Sequence, residues 1–98
     1  MKIVAITSCA TGIAHTYMAA EAIKKICKQK GHECKVEMQG ALGIEDKLKD
    51  VDIKEADIIV FANDVGISKI ERFDAYKDKI RKLTPHAVIQ NPSIIFEE

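Results

Sequence analysis

One cysteine in this chain stands where a thiolate would be stabilised. Ser8-Cys9-Ala10-Thr11-Gly12-Ile13-Ala14-His15-Thr16 directly follows the apolar run Ile3-Val4-Ala5-Ile6-Thr7. It directly precedes a helical pattern that runs from Thr16 to about Lys30. A strand-to-helix turn at that point puts Cys9 before the free backbone N–H groups and the positive dipole end of a helix. That environment favours an anion, either a thiolate or a phosphate. A nucleophile and a phosphate cradle therefore share one turn. Backbone N–H groups from Ala10 to His15 are the expected donors, and Gly12 permits close backbone approach. The Thr11 and Thr16 hydroxyls are placed either to bond the phosphate or to cap the helix. Catalysis of phosphoryl transfer asks chiefly for such positioning and charge stabilisation.

The elements that must hold this turn follow from patterning. Residues 2–7 read as a buried strand, short and β-branched. Residues 15–30 read as a helix, with Met18, Ala19, Ala22, Ile23, Ile26 and Cys27 at helical spacing and Gly31 as its stop. Residues 34–39 alternate Cys34, Val36 and Met38 against Lys35, Glu37 and Gln39, a strand with one wetter face. Gly40 and Gly43 mark a loop, and residues 45–55 hold one or two short helical turns. Ile58-Ile59-Val60-Phe61 is a second apolar strand, followed by the loop Asn63-Asp64-Val65-Gly66. Residues 70–83 admit either a helix or a final strand near Lys79 to Leu83. Thr84-Pro85 and Asn91-Pro92 each carry a helix-start signal. Strands alternating with helices predict a mainly parallel sheet covered on both faces, a three-layer α-β-α arrangement. The ligand site then lies outside the carboxyl ends of the strands. Three loops should meet there: Ser8 to His15, Gly40 to Gly43, and Asn63 to Gly66.

Composition narrows the class of function. The chain has 98 residues, enough for one domain over residues 1–98 without disulfide staples. Lys plus Arg and Asp plus Glu each number 15, so no net positive field argues for nucleic acid as the main partner. No apolar run is long enough to span a bilayer, and the start lacks the features of a signal peptide. A cytosolic location is expected, with the three cysteines as thiols. Cys27, His32 and Cys34 do not have the spacing of a zinc site, and core packing is the better reading of Cys27. Lys24, Lys25 and Lys28 read as a solvated helix face that is also able to meet an acidic partner.

Cys9-Ala10-Thr11-Gly12-Ile13-Ala14-His15-Thr16-Tyr17-Met18-Ala19-Ala20 resembles the signature of the enzyme IIB domain of the fructose-type, phosphoenolpyruvate-dependent sugar phosphotransferase system, close to C-P-T-G-I-A-H-T-F-M-A-A. Val36-Glu37-Met38-Gln39-Gly40, Ala56-Asp57, Ala62-Asn63-Asp64 and Arg72-Phe73 match further family positions in order. Ala10 departs from the usual proline, which removes a φ restraint from the loop. The region after Arg72-Phe73 also departs. The resemblance implies a Rossmann-like, four-stranded sheet of order 2-1-3-4. It implies a relay in which phosphohistidine of a partner enzyme IIA phosphorylates Cys9. The phosphocysteine then passes the group to a sugar, fructose or a related one, held by membrane enzyme IIC. No metal or cofactor is implied, and the domain would work at the inner face of the membrane through IIC.

His15 lies six residues after Cys9, where cysteine-dependent tyrosine phosphatases place an arginine in C-x5-R. Imidazole is a weaker and pH-dependent phosphate clamp. That suits a carrier that passes the group on rather than hydrolysing it. His15 is read equally as a phosphate ligand or a helix-start packing residue. Gln39 and Asp64 are candidates for the site's periphery, with plain strand-end and turn roles as the alternative. The rival functions are a low-molecular-weight-phosphatase-like hydrolase using Cys9, a redox protein, and a non-catalytic interaction module.

Overall fold

The computed structural model describes residues 1–8, 13–40 and 43–96, and only the backbone of Ile13. Five strands form one sheet in the order β3-β2-β1-β4-β5. They are β1 (Lys2–Ser8), β2 (Glu33–Gly40), β3 (Gly43–Glu45), β4 (Ile58–Asn63) and β5 (Ile80–Leu83). β1 lies parallel between β2 and β4, and β5 adds parallel to β4. These four strands have the expected 2-1-3-4 order. The fifth, β3, runs antiparallel to β2 and pairs Gly40 with Gly43. The Gly40–Gly43 region is thus a hairpin that adds an edge strand rather than a simple loop. Three residues are too few for an alternation to show in sequence. Gly43 takes a φ of 109°, a conformation open to glycine.

The central strands are apolar on both sides because both sides are covered. Ile3 and Ala5 of β1, with Val36, Met38, Ile58, Val60 and Ala62, pack beneath α1 (Ile13–Lys30), α3 (Pro85–Gln90) and the 3-10 segment Pro92–Phe96. On the opposite face Val4, Ile6, Ile59 and Phe61 pack against Leu48, Ile67, Phe73 and Ile53 of α2 (Asp50–Glu55). Phe61 and Phe73 meet edge to face with centroids 5.0 Å apart.

α1 buries Thr16, Ala19, Ala20, Ile23 and Cys27. Met18 is 50% exposed, which corrects its placement on the apolar face. The buried stripe follows steps of three and four residues, and Met18 falls beside it. α1 ends in a Schellman arrangement. Gly31, with φ 75°, donates to Lys28 O, and His32 N donates to Cys27 O at 2.9 Å. Cys27 is fully buried, as its place in the helix pattern predicts, and Cys34 packs against the same core cluster.

Residues Ile70–Lys79 form 3-10 turns with a kink at Tyr76, and β5 follows at Ile80–Leu83. Both readings of the 70–83 region thus hold for part of it. Thr84 caps α3 with Pro85 next, and its Oγ1 accepts from Ala87 N at 3.1 Å. Thr84→Ala is expected to cost about 1 kcal/mol. That corresponds to a fall in Tm of about 4–8 °C for a domain of this size. Thermal denaturation followed by circular dichroism reads it, and Thr84→Ser should restore most of the loss.

Glu37 and Gln39 are also corrected. The alternation puts them on a wetter strand face, yet Glu37 is 0% exposed and Gln39 is 6% exposed. β2 is an interior strand, and the segment between β4 and β5 covers that face.

Candidate functional site at the strand ends

β1, β2 and β4 end level with one another. Ser8 is in register with Gln39 on one side and with Asn63 on the other. Asp64 N donates to Ser8 O at 3.1 Å, joining the loop after β4 to the end of β1. The Asn63 side chain closes that turn by donating to Val65 O at 2.7 Å. α1 begins at Ile13 with no acidic residue in its first turn, so the positive end of its dipole is not offset locally. Residues 9–12 connect Ser8 to Ile13. Cys9, Ala10, Thr11 and Gly12 lie outside the described residues, as does the Ile13 side chain.

The remaining loop candidates sit on the first turn of α1. Ala14 is exposed and His15 half-buried. The His15 ring stands 6.0 Å, edge to face, from that of His86 in α3. Sequence reasoning missed His86. No local pattern marks it, and only the packing of α3 on α1 brings it to His15. Thr16 is buried, and its Oγ1 has no hydrogen-bond partner among the described residues. A buried hydroxyl with donor and acceptor capacity thus lies on the turn that follows residues 9–12. Tyr17 donates its hydroxyl to Glu45, tying the start of α1 to β3. That bond, followed by burial and the charges of Glu45 and Asp46, raises the phenol above its ordinary pKa.

β2 carries a buried polar network at this end of the sheet. Glu37 Oε1 accepts from Leu48 N at 2.8 Å and from Arg72 Nη1 at 2.9 Å. Its Oε2 accepts from Arg72 Nη2 at 2.9 Å and from Gln39 Nε2 at 2.7 Å. Burial by itself pushes the Glu37 carboxyl up. Arg72, Gln39 and the Leu48 N–H outweigh it and hold the group below the usual carboxylate range. Gln39 also accepts from Ser68 N at 2.8 Å and donates to Ser68 O at 3.1 Å. Both ends of the Gln39 amide are therefore committed within the protein. It fixes the segment after β4 against the end of β2. Asp64, by contrast, is exposed at the turn. Arg72 and Ser68 were not singled out from sequence as site-shaping residues. The sole hint was the pair Arg72-Phe73 in the matched pattern.

Residues 4–98 match the family described as "PTS system, Lactose/Cellobiose specific IIB subunit". The chain belongs to the enzyme IIB family of the sugar phosphotransferase system. Curated relatives of this IIB chain include several named for fructose rather than lactose. It is 50% identical over 72 residues, 74% of its length and 68% of the relative's, to the "PTS system fructose-like EIIB component 2" of Escherichia coli. It is 39% identical over its full 98 residues to the "Fructose-like PTS system EIIBC component" of the same organism, of which it spans 20%. Among solved structures, the enzyme IIB subunit from Escherichia coli superimposes with a TM-score of 0.89 at 36% identity. That match covers 98% of this chain and 87% of the other. Fold and family agree with the resemblance carried by residues 9–20. Family membership supports a phosphotransferase role in sugar transport.

Proposed function

We propose that this chain is a phosphoryl carrier in which Cys9 is the transient acceptor. The observation that carries the reading is positional. Cys9 directly follows Ser8, at the level ends of three parallel strands, and lies four residues before a long helix whose first N–H groups have no helical partner. The thiolate attacks the phosphorus of a phosphohistidine on enzyme IIA. The P–N bond breaks, the P–S bond forms, and the imidazole leaves with the electron pair and picks up a proton. In the second half, a sugar hydroxyl loses its proton as its oxygen attacks phosphorus. The P–S bond breaks and the thiolate is regenerated. Neither half consumes water. The N–H groups of Ala10 to His15, the hydroxyls of Thr11 and Thr16, and the imidazole of His15 surround the equatorial oxygens in this reading.

The EIIBC relative supports enzyme IIC as the acceptor's holder, because there the B and C components share one chain. No described helix of this chain is long and apolar enough to cross a membrane. In this reading the bilayer is reached through the C component. The fructose-like names of the relatives support fructose or a related sugar as acceptor. His15 in place of an arginine fork disfavours the phosphatase alternative. Intact-mass analysis after incubation with phosphorylated enzyme IIA tests the proposal. One phosphoryl group is expected, stable in buffer and discharged by membranes that hold IIC and sugar. Steady release of inorganic phosphate without sugar would instead establish a hydrolase.

A further inference from the structure

The outer edge of β2 is covered over only part of its length. β3 pairs with Met38, Gln39 and Gly40, and it stops at Glu45. Asp46 then takes a φ of 52°, in the left-handed region, where the pairing ends. Residues Glu33 to Glu37 are left without an outer strand partner among the described residues. A cavity of about 300 Å³ opens beside this bare edge, lined by Lys35 and Val36 of β2 and by the chain that leaves β3.

Charge sets what this notch can hold. Lys24 of α1, Lys35 of β2, and Lys47 and Lys49 of the segment before α2 all line it. Against these four lysines stand two carboxylates, Asp46 and Asp52, which leaves an excess of two positive charges. Asp52 is already committed. It is 4% exposed, and its Oδ1 accepts from Lys35 Nζ at 3.0 Å and from Lys2 Nζ at 3.3 Å. Its Oδ2 accepts from Lys49 N at 3.2 Å. One buried carboxylate thus meets two ammonium groups, fixes Lys35 and holds the backbone of Lys49. Lys24, Lys47 and Lys49 have no carboxylate at ion-pairing distance among the described residues.

We propose that this notch binds a compact phosphate dianion, either the free ion or the phosphate of a small ester. A recess lined by one sign of charge concentrates a multivalent anion, and ammonium donors give it charge-assisted hydrogen bonds. Size limits the ligand, because pockets for drug-sized molecules begin at about 300 Å³. No aromatic residue lines the notch, so a nucleotide base finds no stacking partner there. The site is distinct from the start of α1. Lys24 lies eleven residues beyond Ile13, about 16 Å along the helix at ~1.5 Å per residue. It therefore stands independently of the carrier reading.

Backbone amide chemical shifts of the whole chain test it at about pH 8, where a phosphate monoester is doubly charged and lysine keeps its proton. Inorganic phosphate and a hexose phosphate, the product class of a sugar phosphotransferase, are added separately against chloride at matched ionic strength. Saturable shifts are expected at Lys35, Val36 and residues 46–49. Lys24→Gln/Lys49→Gln should weaken that binding about tenfold, since two of the four cations are lost. Asp46→Asn should tighten it about threefold by removing an opposing carboxylate, and asparagine tolerates the left-handed φ. A loss from one variant and a gain from the other is not what a damaged fold produces. Tighter binding of the ester assigns the notch to a phosphorylated small molecule, and equal or weaker binding assigns it to the free ion; both uphold the site. The same shifts with chloride, shifts confined to residues 14–16, or no response to either substitution would overturn it.

Discussion

Cys9→Ala is expected to abolish phosphoryl labelling by phosphorylated enzyme IIA, by roughly 10⁴-fold or more in rate. In the carrier reading proposed above, the substitution removes the sulfur that forms the P–S bond, and backbone donors around it would stabilise charge without supplying a nucleophile. Cys9→Ser keeps a small polar atom in place yet should also remain unlabelled on the parent's timescale. A hydroxyl gains far less from a helix N-terminus than a thiol, whose pKa of about 8.5 lies close enough to neutrality to be drawn below it. Intact mass and phosphopeptide mapping check both variants, with thermal melts run in parallel to separate loss of sulfur from loss of fold. Cys27 and Cys34 act as internal controls, since Cys27 is buried in the core and Cys34 packs half-buried against the same cluster. Label retained by Cys9→Ala at the parent's rate would place the acceptor elsewhere.

The second large effect is on stability. Arg72→Leu is expected to cost about 3–5 kcal/mol at pH 7, because it leaves Glu37 charged and buried without its cation. Against a total of roughly 5–15 kcal/mol for a domain, that is a large fraction. Glu37 is fully buried and cannot turn to solvent, while the Arg72 side chain is 11% exposed and has some access to water. Glu37→Gln should therefore cost less than Arg72→Leu, since the cation left behind is the less buried partner. The pH dependence separates this mechanism from simple loss of packing. In the parent, the folded-state pKa of Glu37 lies below its ordinary value of 4.5. Its stabilising contribution is thus present above about pH 4.5 and is lost as pH falls through the depressed value. In Arg72→Leu, burial works against the carboxylate with only Gln39 and the Leu48 N–H opposing it. Protonation then relieves the variant while it penalises the parent. Urea unfolding should show the gap narrowing between pH 7 and pH 4. A gap that stays constant, or a loss under about 1 kcal/mol at pH 7, would mean that the pair is not dry.

The same residues show how far a sequence can be read. Glu37 and Gln39 alternate with Val36 and Met38, and alternation alone says only that two faces differ. Which face is wet depends on what covers it, and the cover comes from residues 66–73. The hairpin strand Gly43–Glu45 escaped notice because three residues carry no period. His86 reaches His15, and Arg72 reaches Glu37, through packing that no local spacing encodes.

By itself, the sequence determined the central strands β1, β2 and β4, the long helix that follows β1, the Gly31 stop and the Thr84 cap. These are local matters: short apolar runs, capping chemistry and glycine's conformational range act over a few residues. The tertiary structure alone decided that a glutamate in a strand would be buried against an arginine, and that this pair would anchor two distant loops on the rim. A charge can leave water only when partners from elsewhere in the chain arrive together. Those partners are set by how the layers pack, and no window of neighbouring residues contains them.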